Sequence, residues 1–333
     1  MDNLTHSAIG FFLSRAGLNR LTPRATAILL LAANAPDIDV ISATGGALNY
    51  LRFHRHFTHA LIMMPVLALI VVAVVRLASR KAIPWRNAFL VALVGVASHL
   101  ALDWTNVYGV RMLLPFSSAW LRLDTTNVID IWIWTVCAIG IAGPFLARLV
   151  GSEITSGGAK LRYHGRGFAR FVLFFVLLYN AARGVLHGRA VAVLTSRMYE
   201  GAVPIRAIAM ADAANPLRWR GLVETDSAFV VQDLNLAASD PAGSRPTAFP
   251  KADPDPAIDA VMRAFPVREF LQFSQFPLWR VTPWPAIDGG RLVEVFDMRF
   301  GTPLSPGFMA RAVIDGKGRI SESEFRFGSP RPR

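Results

Sequence analysis

Cysteine is nearly absent from this chain, since Cys137 is the only one among 333 residues. That excludes an intramolecular disulfide and a thiolate metal cluster, and its place in an apolar run marks it as a small side chain packed in a helix. Charge is scarce as well. Charged residues make up 17% of the chain, against roughly 25% in soluble domains. Hydrophobic residues make up 53%, a balance that points to lipid. Acidic residues are outnumbered 23 to 35 by Lys and Arg, leaving a net charge of +12. The basic residues lie between apolar runs and along a late polar region. They are therefore expected to orient membrane helices rather than bind nucleic acid. The N-terminal stretch has no basic n-region, long apolar core or cleavage site, so a signal peptide is not expected. No internal repeat is present.

Four runs approach the ~20 apolar residues that a ~30 Å hydrocarbon core demands: residues 60–77, 88–107, 128–150 and 168–186. Residues 25–35 are apolar but too short to cross alone. With residues 4–16 and the turn carrying Arg15, Arg20, Pro23 and Arg24, they read as a helical hairpin. Arg76, Arg80, Lys81 and Arg86 cluster between the first two long runs, and Lys160, Arg162, Arg166 and Arg170 between the last two. Both loops are expected in the cytoplasm. Residues 37–59, the loop 108–127 and the region after the last span then fall outside. The expected architecture is an α-helical membrane domain over residues 1–188, a hairpin plus about four transmembrane helices. A smaller α+β extracytoplasmic domain follows over 189–333. In it, 291–300, 310–314 and 319–327 read as strands separated by Gly-containing turns, 257–265 as a short helix and 237–256 as a loop.

Five of the seven histidines fall in short motifs of the first third: Thr5-His6, His54-Arg55-His56, Thr58-His59 and His99-x-x-x-Asp103; Pro36-Asp37-Ile38-Asp39 adds carboxylates. Imidazole and carboxylate together suit zinc, manganese or iron. His99 and Asp103 are four apart in a helical segment, so they share a face and can reach one ion. Asp37 and Asp39 flank Ile38 just after a helix. Thr58 is expected to cap the next helix and put His59 in its first turn. Burying Asp103 near lipid without a cation is expensive. The expected ligands are His6, Asp37, His54, His99 and Asp103, with Asp39 and His59 as ligands or supporting partners. Arg55 matches the geometry of phosphate oxygens and equally that of lipid headgroups.

This ordered set resembles the YdjM-like family, described as inner-membrane, LexA-binding metal-dependent hydrolases. The resemblance covers about residues 1–180, with His54 and His59 in the positions of its His-Arg-Gly-x-Thr-His signature. His56 stands where the family has glycine. A looser likeness reaches the zinc-dependent phospholipase C group, whose further downstream ligand pair has no match here. The resemblance implies a hydrolase with one or two divalent ions, zinc first, acting on a phosphate ester or lipid-type substrate at the outer membrane face. Asp39, Arg55 and His59 are the expected catalytic residues, and membrane lipid is the expected partner. A metal or proton transporter and a non-catalytic metal-binding scaffold are the alternatives.

Overall fold

The computed structural model describes residues 1–79, 82–154 and 165–328. Arg80, Lys81, Lys160 and Arg162, used above for orientation, lie outside the described residues. The chain divides into two compact units. One comprises Met1–Ile38, Arg55–His187 and Ala211–Pro216, the other Asp39–His54, Gly188–Met210 and Leu217–Arg333.

Helix α1 (Asn3–Ala16) starts on Asp2, whose carboxylate accepts the Leu4 and Thr5 amides, and stops at Gly17 with φ +149°. Helix α2 (Ala25–Ala32) packs antiparallel to it. The Ser14 and Thr26 hydroxyls meet at 2.7 Å, and Asn34 Nδ2 donates to Ser7 Oγ at 2.9 Å. Pro36 prevents a simple continuation of α2, and the chain goes on as a 3-10 run over Ala35–Gly45, bent by 43°. Residues 25–35 are indeed too short to cross alone. With the 3-10 run they become long and apolar enough for a broken span or a re-entrant loop, where the sequence suggests only an outer loop from residue 37.

Helix α3 (Ala47–Phe53) belongs to the second unit. Two 3-10 turns, Phe57–His59 and Leu61–Met63, then lead into α4 (Met64–Ala78), followed by α5 (Trp85–Trp104), α6 (Ile131–Ile154) and α7 (Arg166–Thr195). Thr58 caps no helix, contrary to expectation, because its hydroxyl turns to the neighbouring His59 ring. Among the described residues three stretches have the length and apolarity to cross a membrane: Leu61–Ala78, Trp85–Trp104 and Arg166–Thr195, or four with the bent pair. The run at 128–150 becomes α6, whose start is set by Asp130 capping the Trp132 and Ile133 amides and which contains Pro144; its stretch Ile131–Ala147 is apolar.

Small residues let the helices meet closely, as membrane packing requires. A Cβ on Gly95 of α5 would lie 2.6 Å from Ala32 Cβ of α2. Ile28, Leu29, Val71, Val91 and Val96 fill the space around this contact. The outward faces are also apolar, as at Leu69, Ile70 and Val74, which suits hydrocarbon rather than water. After α5 the chain forms a hairpin-like loop in which Val110 and Leu121 exchange backbone hydrogen bonds at 2.9 Å.

The second unit is rich in β-structure. Strands β1 (Arg206–Ala211), β2 (Arg218–Glu224), β3 (Ala228–Asn235) and β4 (Thr247–Pro250) form one sheet in that order. After helices α8 (Pro256–Val261) and α9 (Phe265–Phe273) come β5 (Pro277–Pro283), β6 (Arg291–Asp297), the short pair β7 (Gly301–Thr302) and β8 (Ser305–Pro306), β9 (Phe308–Ile314) and β10 (Ile320–Phe327). The second four-stranded sheet has the order β10-β9-β6-β5. The strand expected over 291–300 stops at Asp297, whose carboxylate accepts the Arg299 amide and turns the chain into 3-10 geometry. The helix expected over 257–265 ends earlier, and a second begins at Phe265. The loop expected over 237–256 contains β4. Trp219, Phe229, Phe270 and Phe296 are buried within this unit.

Candidate metal centre

Helix α5 supplies two of the polar side chains at the centre, one turn apart. Gly95 brings α5 against α2, and one turn further on His99 reaches the end of α2, where its Nδ1 lies 2.7 Å from the Ala33 carbonyl oxygen. A carbonyl only accepts, so His99 carries its proton on Nδ1 and turns the Nε2 lone pair inward. Asp103 follows on the same face, and the Phe57–His59 turn presents His59 with Nε2 inward and Nδ1 3.1 Å from Thr58 Oγ1. Asp37 comes from the start of the 3-10 run beyond α2.

The four inward atoms lie close together. His59 Nε2 and His99 Nε2 are 3.1 Å apart. Asp37 Oδ1 is 3.5 Å from each, and Asp103 Oδ2 is 3.4 and 3.6 Å from them. Ligand atoms on a tetrahedral ion with bonds of ~2.0–2.2 Å are about 3.3–3.6 Å apart, so these distances are close to the edges of such a coordination shell. All four residues are buried. The lone pair of His99 cannot bond to two carboxylates, whereas one shared cation satisfies all four atoms. The cluster can therefore hold a metal ion.

Around it stands a second layer. Arg55 is buried with φ +59°, a left-handed conformation that costs a non-glycine residue energy and persists only where its surroundings enforce it. Its Nε is 3.1 Å from Asp103 Oδ2, and Nη1 donates to Asn106 Oδ1 at 2.9 Å. The guanidinium also lies 4.9 Å from the centre of the Tyr108 ring. Arg55 thus positions the Asp103 carboxylate. His6 stacks on His99 at 3.8 Å, and its Nε2 is 3.2 Å from Asp103 Oδ1, the oxygen that also meets the Met1 amino group. Burial holds the His6 ring well below its ordinary pKa, in the neutral form that binds metals.

Of the residues singled out in the sequence, His6, Asp37, His59, His99 and Asp103 therefore meet in the helical unit. Asp39 and His54 belong to the other unit, where Asp39 Oδ1 and His54 Nδ1 are 2.8 Å apart and Tyr50 stacks on the His54 ring at 4.5 Å. His56 packs edge-on against Phe57. Asn106 was not anticipated. Its position three residues beyond Asp103 is the only signal the sequence offers for it, and the backbone carbonyl of Ala33 leaves none.

The fold and the centre define a class: a polytopic helical membrane protein with a buried His/Asp cluster able to hold a metal ion. Residues 1–190 match the family described as YdjM inner membrane protein, and the chain belongs to that family. This agrees with the resemblance carried by its motifs. The chain is also similar to a Bacillus subtilis (strain 168) protein described as uncharacterized protein YfhP, 26% identical over 295 residues, or 84% of this chain and 82% of the relative. No solved structure matches it.

Proposed function

We propose that the chain is a membrane-bound, metal-dependent hydrolase acting on a phosphate ester or lipid-type substrate. The observation that carries this is the close, buried approach of ligand atoms from Asp37, His59, His99 and Asp103. Two nitrogen and two carboxylate donors suit zinc, with manganese or iron as alternatives. A divalent ion bound there would supply Lewis acidity and lower the pKa of a bound water to ~7. The protein's share is positioning: Ala33 sets the His99 tautomer, Arg55 aims Asp103, and the buried setting limits competing water. The two carboxylates balance a divalent ion, and Arg55 leaves one net positive charge, which favours an anionic phosphate ester. Asp103 Oδ1 and His6 Nε2, 3.2 Å apart and both fully buried, are the donors left for a second ion.

Orientation has its own support. Arg76 and Arg86 flank the loop between Leu61–Ala78 and Trp85–Trp104, whereas His59 precedes the first span and Asp103 ends the second. By the positive-inside rule the centre is then extracytoplasmic, as is the C-terminal domain in this reading.

A second reading rests on the same four residues, because four protein ligands are the usual shell of a structural ion. Metal-loaded protein incubated with phospholipids and generic phosphodiesters separates the two. Turnover that disappears in Asp103→Asn supports hydrolysis. Full metal occupancy without turnover across the panel sinks it and favours the structural ion.

A further inference from the structure

The loop after α5 exposes an apolar tip that the metal centre does not use. Leu113 is 41% and Phe116 87% exposed, with only Leu114 and Pro115 between them. No charged residue occurs from Leu113 to Leu121. Exposed apolar surface of this kind marks a contact with a partner or a membrane, and the chain's connections decide which.

The loop leaves the last residue of one span, Trp104, and its Met112 carbonyl accepts the amide of Leu61, the first residue of another, at 2.9 Å. The tip is therefore tied, one residue before Leu113, to the place where a membrane span begins. Leu61 and Ile62, 48% and 51% exposed, continue the same apolar surface at that point. Trp120, half-buried beyond the tip, is the kind of aromatic enriched at headgroup level, and the buried Arg111 lies 5.0 Å from the centre of its ring.

We propose that residues 113–116 form a wedge seated in the acyl–headgroup boundary of the leaflet at the Asp103 end of α5, and that phospholipid, rather than another protein, covers it. The contact does not depend on hydrolysis. It does place lipid beside the residue that positions Asp103, because Gly109 O accepts from Arg55 Nη1 at 3.5 Å and the Arg111 amide donates to Arg55 O at 3.3 Å in the same loop.

The test uses the full chain with Cys137→Ala, carrying Phe116→Cys or, separately, Leu113→Cys, labelled with a nitroxide in phosphatidylcholine/phosphatidylglycerol nanodiscs. Spin relaxation by oxygen, which concentrates in lipid, is compared with relaxation by a water-soluble nickel chelate. Arg319→Cys, whose parent side chain is 75% exposed, is the aqueous reference. The expected oxygen-to-nickel ratio at both tip positions is several-fold above that at 319. A ratio equal to the reference overturns the proposal, and so does low access to both reagents, which would mean a protein cover. The two label sites guard against a local misfold at either one.

Discussion

The Nδ1–H of His99 donates to the carbonyl oxygen of Ala33 at 2.7 Å, joining α5 to the end of α2. That single bond decides which nitrogen of His99 faces His59, Asp37 and Asp103. It exists because Gly95, one turn earlier, lets the two helices touch.

Gly95→Ala should therefore loosen both the packing and the centre. Its Cβ would fall 2.6 Å from Ala32 Cβ, and overpacking of this kind costs ~1–3 kcal/mol. Gly184→Ala, in α7 with nothing within 4 Å of the added atom, should instead be neutral or stabilising by up to ~1 kcal/mol. Thermal unfolding of both variants in detergent checks the contrast, and equal shifts would refute it.

Asp103→Asn keeps the side chain's shape but removes its charge. Elemental analysis of the purified variant should show metal affinity lowered by more than the ~10–100-fold typical of changes beyond the ligands themselves. Asp103→Ala should also destabilise the fold by about 3–5 kcal/mol, because buried Arg55 then loses its carboxylate partner. Metal content equal to the parent in both variants would remove Asp103 from the ligand set.

Arg55→Lys retains the charge and loses the planar fork that spans Asp103 and Asn106. Metal affinity should fall ~10–100-fold with the ligands intact. An unchanged dissociation constant in a competition titration would show that Arg55 does not position the centre.

Removing metal with a chelator should lower the unfolding temperature of the parent, and adding zinc should restore it. At a free ion concentration one hundred times the dissociation constant the gain is about 2.7 kcal/mol. Asp103→Asn should show no such recovery.

In the β-rich unit, burial opposes ionisation of Glu224, but Lys251 and Arg206, at 2.9 and 2.7 Å, outweigh it and hold its carboxyl below the ordinary 4.5. A lowered folded pKa means that the stabilisation is fully present above 4.5 and is lost as pH falls through the folded value. Denaturation followed at different pH values should show Glu224→Gln with a shallower loss of stability below that point than the parent. Parallel curves would exclude the linkage.

Much of the centre was legible because its chemistry is written locally. Helical period alone puts His99 and Asp103 on one face, and a carboxylate in an apolar run demands a partner. The partners were not legible. Ala33 offers a backbone atom 66 residues away from His99, and Asn106 meets Arg55 across 51; neither contact leaves a mark on local composition. The first sheet was missed for a related reason. Strands such as β2, Arg-Trp-Arg-Gly-Leu-Val-Glu, alternate polar and apolar only in part, since the pairing of Leu222 with Val231 and Val223 with Val230 supplies the burial.

By itself the sequence determined that the chain enters a membrane and which donor types it can offer a metal. Both depend on quantities that add up residue by residue, namely apolar transfer along a segment and the chemistry of each side chain. Only the tertiary structure decided that Asp37, His59, His99 and Asp103 share one centre while Asp39 pairs with His54. Such selection depends on how closely separate segments approach, and that distance is set by small-residue packing such as Gly95 on Ala32.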